Sequence, residues 1–148
     1  MRSLLTITLC LLLMAFSATQ RSDTTKEKPA LTGVLWNLAK IQSMDDSTDL
    51  PRAPGLYTLE FHKDGSVAIR ADCNRGRGNW ASETADQLNI TQLITTRAMC
   101  IPPSLHDQFI SDLNDTRSFT LNEGKLYLAT MADGSILEFF SSRAMQVE

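Results

Sequence analysis

The sequence predicts a mainly β protein of the α+β class, in which a small antiparallel sheet curls, or closes into a partly open barrel, with one helix packed on it. Short segments of alternating apolar and polar residues recur along the chain, and Gly-containing turn sequences separate them. A single segment, after Pro102 and Pro103, changes to a helical period. Short strands linked by tight turns are typical of such sheets.

The clearest predicted hairpin joins two alternating segments, residues 57–61 and 67–73. Asp64 and Gly65 lie between them, and Asp-Gly suits a tight turn because glycine tolerates a positive φ. Cys73 shares the parity of the apolar residues in the second segment. We therefore expect its thiol to face the buried side.

Two further turns are predicted at residues 122–124 and 133–134, each between apolar alternating segments. Shorter strand candidates bring the expected total to seven or eight, and they cover residues 35–41, 79–82 and 88–90.

The predicted helix has about ten residues. Its apolar stripe consists of Leu105, Phe109, Ile110 and Leu113. Proline is tolerated in a first helical turn, so Pro102 and Pro103 are expected there, and Asp107 favours the helix dipole. Asn114 is a suitable end.

The first residues are typical of a secretory signal peptide. Arg2 precedes an apolar run over residues 4–16, which is too short to span a bilayer that needs roughly 20 residues. The expected organisation is a signal peptide at 1–17, a flexible polar tether at 18–30 and one domain at 31–148. We therefore expect a periplasmic or secreted protein without a stable membrane span after cleavage.

The odd number of cysteines, three, fits this organisation because Cys10 would leave with the signal peptide. Cys73 and Cys100 remain, and an isolated pair in an exported protein most simply predicts one disulfide. The bridge would close a loop of about 28 residues and contribute roughly 3–4 kcal/mol. Two free buried thiols are the alternative.

Composition excludes several classes of protein. The chain has 148 residues, 21% charged and 43% hydrophobic, which is typical of a folded domain rather than a disordered or low-complexity chain. Its net charge of −3 becomes −4 without Arg2, so a nucleic-acid partner is not expected. We expect a monomer.

No catalytic or metal-binding set is recognisable. His62 and His106 lack Cys or carboxylate ligands at metal-site spacing. Ser104, His106 and Asp107 are triad residue types, but they lie within one helical turn, whereas a triad converges from separate elements. We therefore expect no enzymatic activity, no metal and no cofactor.

The most unusual segment is residues 72–80, in which Arg75 and Arg77 alternate with Gly76 and Gly78. Two interpretations remain. The arginines either contact an anion or a partner, or they pair with surface carboxylates along a glycine-bent connection between strands. The second is the simpler expectation.

The chain resembles the META domain family, which includes the HslJ-like bacterial envelope proteins. The resemblance begins at the segment 31–38 (LTGVLWNL) and continues through a Cys-Asn-Arg motif and a Thr-Arg-x-x-Cys motif. The matching motif residues are Trp36, Cys73, Asn74, Arg75, Gly78, Thr96, Arg97 and Cys100. Asp72 departs from the family, which often has Gly before the first Cys.

The resemblance implies a barrel-like β domain with one helix and no settled activity. The leading hypothesis is a non-enzymatic envelope protein that binds a partner or supports stress and drug tolerance. One alternative is a carrier of a small apolar ligand between inner-face residues; the residues expected there are Leu59, Ile69, Leu128 and Phe139. Another is a secreted inhibitor or pilot-type chaperone that uses an open sheet edge or the groove beside the helix.

Overall fold

A computed structural model describes residues 31–142 of the chain. The predicted signal peptide and tether lie outside these residues, as does the predicted domain beyond residue 142. The described elements are β1 (Leu35–Ser43), β2 (Thr48–Asp49), β3 (Tyr57–Phe61), β4 (Ser66–Ala71), β5 (Asn74–Ala81), β6 (Asn89–Thr95), α1 (His106–Asp115), β7 (Thr116–Asn122), β8 (Lys125–Thr130) and β9 (Ser135–Ser141).

The strands form one antiparallel sheet in the order β6-β5-β4-β3-β1-β9-β8-β7, with β2 paired to β1. Most neighbours in this order are also neighbours in sequence, because short turns connect them as hairpins. The long strand β1 is the exception, since it joins β3 on one side to β9 on the other. The first and last described strands, β1 and β9, therefore pair in the middle of the sheet.

The sheet curls until its two edges approach each other. Just before β6, the backbone N–H of Leu88 donates to the carbonyl of Arg117 at 3.0 Å, and Phe119 N–H donates to the carbonyl of Asp86 at 2.8 Å. These bonds join the start of β6 to the start of β7. The result is a curled half-barrel, which confirms the predicted fold class.

The helix α1 packs against β4, β6 and β8 and buries Phe109 and Leu113. The Phe109 ring lies 5.3 Å from the ring of Tyr57 on β3, edge to face, and 6.3 Å from Phe139 on β9. Such aromatic contacts add about 0.5–1.5 kcal/mol each to simple area burial. The helix therefore contributes the side chains that fill the concave side of the half-barrel.

The helix begins later than predicted. Pro102 and Pro103 precede it, joined by a cis peptide bond, and the first helical residue is His106. The prediction that the prolines lie in the first helical turn was therefore wrong, whereas the predicted length of about ten residues is confirmed. Proline disfavours helical backbone angles in the residue before it, so Pro103 keeps Pro102 out of the helix.

The interior is filled by large apolar side chains. The inner-face residues predicted from parity are buried there: Leu59, Ile69, Leu128 and Phe139. Leu59, Leu128 and Phe139 have no accessible surface at all, so no water-sized space adjoins them. Trp36 and Trp80 are core residues too, and their indole N–H groups donate to the carbonyls of Leu31 and His62.

Two local expectations need revision. Residues 74–81 form the full strand β5 rather than a bent connection with a strand only from residue 79. The turn predicted at residues 133–134 instead contains a single 3₁₀ turn, Met131–Asp133, between β8 and β9.

Candidate functional site

The Cys-Asn-Arg motif lies at the tight turn between β4 and β5. The strand β4 ends at Ala71, and Asp72 adopts a positive φ of 60°, a conformation that Asp tolerates better than most residues. Because the chain reverses here, the alternation of β4 does not extend to Cys73. Cys73 is exposed, so the prediction that its thiol faces the buried side was wrong.

A disulfide joins Cys73 to Cys100, as predicted, with 5.5 Å between the two Cα atoms. It ties the β4–β5 turn to the segment that leads from β6 to α1. The disulfide therefore links the β4–β5 hairpin to the approach to the helix.

The side chain of Asn74 holds the same segment by hydrogen bonds to Thr96 and Ala98. Its Nδ2 donates to the carbonyl of Ala98 at 3.0 Å, and its Oδ1 accepts from Ala98 N–H at 2.7 Å and from the Thr96 hydroxyl at 2.8 Å. Asn74 is buried, so these bonds are shielded from water. We call the group Cys73, Asn74, Thr96, Ala98 and Cys100 the clasp.

The backbone of Arg75 extends the clasp. Arg75 N–H donates to the Thr96 hydroxyl at 3.1 Å, and its carbonyl accepts from Thr96 N–H at 2.9 Å. The two family motifs are therefore in direct contact, and Asn74, Thr96 and the Arg75 backbone serve to join them.

An ion pair between the partly exposed Arg52 and the buried Asp72 supports the turn from the other side. The Arg52 guanidinium donates to both carboxylate oxygens of Asp72, at 2.8 and 3.1 Å. The Tyr57 hydroxyl lies 3.4 Å from Asp72 and accepts from Leu105 N–H at 2.8 Å, at the start of α1. Sequence reasoning missed Arg52 and Tyr57 here. The one available signal was the family departure at Asp72.

Gly78 allows β5 and β6 to approach closely. A Cβ atom there would lie 2.5 Å from the Leu93 side chain and 2.9 Å from the Thr91 carbonyl. A side chain at this position would therefore push β6 away, which gives this family-motif glycine a packing role.

The side chains of Arg75 and Arg77 point the other way, to the exposed outer face of β5. Among the described residues, neither forms an ion pair with a carboxylate, so the expected pairing with surface carboxylates was wrong. Arg70 lies directly opposite Arg75 on β4, and it too has no carboxylate partner among those residues. We call Arg70, Arg75 and Arg77 the arginine face.

Arg97 lies apart from this face. It lines a groove of about 540 Å³ between the end of β6 and α1. Polar side chains of the helix form much of the opposite wall, among them His106, Asp107, Ser111 and Asn114. Met99 and Ile101, which follow Arg97 in the chain, are 99% and 74% exposed.

The residues Ser104, His106 and Asp107 meet without forming a catalytic arrangement. His106 Nδ1 lies 2.9 Å from the Asp107 carboxylate, but the Ser104 hydroxyl contacts the backbone N–H of His106 at 3.3 Å, not its ring. The ring atom His106 Nε2 is buried without a hydrogen-bond partner among the described residues. A serine nucleophile needs a bond from its hydroxyl to the imidazole, and this geometry lacks one.

Asp112 on α1 is a half-buried carboxylate, and unlike the buried Asp72 it has no cationic partner among the described residues. Its Oδ1 accepts from the Ser135 hydroxyl at 3.3 Å, while Oδ2 is buried without a partner among the described residues. Burial raises the pKa of the Asp112 carboxyl above its ordinary value, the Ser135 bond opposes that rise, and the charge of Asp115 adds to it.

Within residues 31–142, no three His, Cys, Asp or Glu side chains are grouped as a metal site would require. No helix in the same range is long and apolar enough to cross a membrane.

The half-barrel, its single helix and the disulfide-linked motifs define a class of small β domains with known structural relatives. A protein from Burkholderia xenovorans, solved by NMR, is similar with a TM-score of 0.62 at 22% identity, over 76% of this chain and 83% of that one. A DUF4847-family protein from Bacteroides vulgatus is similar with a TM-score of 0.55 at 16% identity, over 75% of this chain and 94% of that one.

The family model of the META domain matches residues 29–144, and the chain belongs to this family. The resemblance deduced from the sequence is thereby confirmed. A search of curated proteins finds no match.

Proposed function

We propose that this protein is an exported, non-enzymatic envelope protein that works by binding a partner and thereby supports the envelope under stress. The proposal rests on what the side chains of the family motifs do in the structure. Asn74 and Thr96 form the clasp, and Trp36 and Gly78 serve packing. The motif side chains that remain available are Arg75 and Arg97, both on the surface, and Arg77 lies beside Arg75 on the same exposed face.

Export is supported by the disulfide, because such bonds persist in oxidising compartments and are rare in reducing ones. Membership of the META family, which includes envelope proteins, also agrees with export. Fractionation of the source cells, with thiol alkylation before lysis, tests this part of the proposal. We expect the protein in the extracytoplasmic fraction with no alkylatable thiol; recovery in the cytoplasm would contradict export.

The binding role is tested by deletion and capture. We expect the deletion strain to be sensitive to envelope stress or hydrophobic drugs, and the purified domain to retain a specific envelope component. Complementation by the wild-type chain should restore tolerance. A deletion strain that grows normally under every stress would contradict the role.

The inhibitor or pilot-type chaperone is the second candidate. The groove beside α1 and the exposed Met99 and Ile101 next to it favour this reading, since an apolar segment of a partner would find both polar and apolar contacts there. Substitution of Met99 and Ile101 by Ser should abolish capture of such a partner. Capture that is unchanged would exclude this surface.

The carrier of an apolar ligand is less well supported, because the proposed lining residues Leu59, Leu128 and Phe139 are fully enclosed by other side chains. A ligand would have to displace Phe109 or another core residue. A fluorescent apolar probe should therefore show no saturable binding to delipidated protein, and saturable binding would restore the carrier hypothesis.

A further inference from the structure

We propose that the arginine face is a binding site for a phosphate-type oxyanion. This inference takes one point from the proposed function, namely that the protein acts by binding. It adds the ligand class and a residue, Arg70, that no sequence motif indicates.

The first argument is placement. Arg70 on β4 and Arg75 on β5 are direct partners in the register of the hairpin, so their Cβ atoms are about 4.5–5.5 Å apart. Arg77 lies two residues beyond Arg75 on the same exposed face, opposite Ala68. Three guanidinium groups thus share one side of two adjacent strands.

The second argument is charge. Like charges directly opposite each other in a sheet are unfavourable, and nearby carboxylates usually compensate for them. Here the nearest carboxylate in sequence, Asp72, is buried and bound to Arg52. Glu60 on β3, opposite Ala68, forms no ion pair with any described residue. Among the described residues, the three arginines therefore have no carboxylate within ion-pair distance.

The third argument is orientation. Arg70 Nε donates to the carbonyl of Asp72 at 3.2 Å, and an Arg75 Nη atom donates to the carbonyl of Asn74 at 3.3 Å. Both acceptors belong to the turn that the disulfide and Asn74 hold. Each guanidinium has five N–H donors, so most remain for a ligand. Because the turn is already ordered, binding sacrifices less conformational freedom.

The ligand class follows from charge and shape. Paired guanidinium groups match a group that carries up to two negative charges and several acceptor oxygens, which describes a phosphate better than a single carboxylate. The surface around them is open: Ala68 is small, and Ile94, opposite Arg77, is 64% exposed. The phosphate can therefore arrive free in solution or on a lipid headgroup.

Two titrations of the isotope-labelled protein distinguish these sources. One uses inorganic phosphate at low salt, followed by NMR. The other uses sedimentation with vesicles of phosphatidylcholine alone, or of phosphatidylcholine and phosphatidylglycerol in equal parts. We expect shifts confined to β4 and β5, or sedimentation only with the anionic vesicles, and in either case binding that weakens as salt is added.

Arg75→Gln and the double variant R75Q/R77Q should each raise the apparent Kd by about fivefold or more. Arg75→Lys keeps the charge but not the planar fork, so it should restore only part of the affinity. Arg117→Gln is the matched control: it removes the same charge from an exposed position on β7, at the other end of the strand order, and it should change the Kd less than twofold. NMR spectra of the variants check that they are folded.

Binding of phosphate alone supports a site for a soluble phosphate, and binding of anionic vesicles supports a lipid headgroup. The proposal is overturned if neither binds, if folded R75Q/R77Q binds as the wild type does, or if a Glu-rich peptide binds while both phosphate sources do not. If R75Q/R77Q captures a partner as well as the wild type does, partner binding does not use the oxyanion site. That result would contradict the role of the site but not the proposed function.

Discussion

The two sides of strand β5 differ in what their side chains do. On the inner side, Asn74 and Trp80 are buried and fully engaged in hydrogen bonds and packing. On the outer side, Arg75 and Arg77 contact solvent and no described carboxylate. One short segment therefore serves the fold with alternate residues and leaves the others exposed to solvent. The comparison predicts that inner-side changes alter stability and outer-side changes alter binding.

The largest effect is expected from the disulfide. Replacing Cys73 and Cys100 by Ala should lower the free energy of unfolding by about 3–4 kcal/mol, because the unfolded chain gains the freedom of the closed loop. Urea unfolding of the oxidised wild type and the double variant measures the difference. The reduced wild type is the control and should match the variant; a loss below 1 kcal/mol would show that the bridge constrains little.

Asn74→Ala should cost about 2–3 kcal/mol, because it removes the hydrogen bonds by which a buried side chain holds Thr96 and Ala98. Hydrogen exchange should also accelerate at Ala98. Asn79→Ala is a control on the outer side of the same strand, where it bonds only the exposed Gln92 side chain. Equal losses from the two variants would contradict the distinction between the sides.

Arg52→Ala should destabilise the protein by about 2 kcal/mol, because the buried Asp72 carboxylate loses its cation. Arg52→Lys should recover part of this loss, since Lys restores the charge without the planar guanidinium group. Thermal unfolding of the wild type, R52A and R52K ranks their stabilities. If the double variant R52A/D72N is as unstable as R52A, the loss arises from packing rather than from an unpaired charge.

Asp112→Asn should change the pH dependence of stability. The pKa of Asp112 is raised in the folded protein, so the fold binds this proton more tightly than the unfolded chain does, and the free energy of unfolding falls as pH rises through that raised pKa.

The variant should lack this fall and should be more stable than the wild type near neutral pH, by less than about 1 kcal/mol because the group is only half-buried. Urea unfolding between acidic and neutral pH provides the test, with the exposed Glu83→Gln as control. A variant that is less stable than the wild type at neutral pH would contradict the assignment.

The smallest effect is expected on the outer side. Arg75→Gln should raise the free energy of unfolding by a few tenths of a kcal/mol, because it relieves the like-charge contact with Arg70. A double-mutant cycle with Arg70→Gln isolates that contact. A loss of more than 1 kcal/mol in the single variant would show that Arg75 also serves the fold.

The predictions from sequence succeeded where a local pattern carries the information. The alternation over residues 57–61, the Asp64-Gly65 turn and the apolar stripe of the helix lead directly to β3, the β3–β4 hairpin and α1. They failed where the chain reverses. The parity of β4 does not continue to Cys73, because Asp72 turns the backbone before that residue.

The candidate site was only partly predictable. Arg75 and Arg77 were recognised because arginine and glycine alternate there, but their lack of carboxylate partners depends on neighbouring strands. Arg70 belongs to an unremarkable strand pattern and becomes significant only when the hairpin places it opposite Arg75. Arg52 lies in a polar loop, and no local signal connects it to Asp72.

The sequence by itself determined the class of fold, the family and the pair of cysteines, because periodicity, turn residues and cysteine number are local properties of the chain. Only the tertiary structure decided which side chains share a surface. Residues 52 and 72, or 74 and 98, meet because strands pair and a loop closes over them. Charge compensation and hydrogen-bond satisfaction depend on such distant contacts, and so does the difference between the two sides of β5.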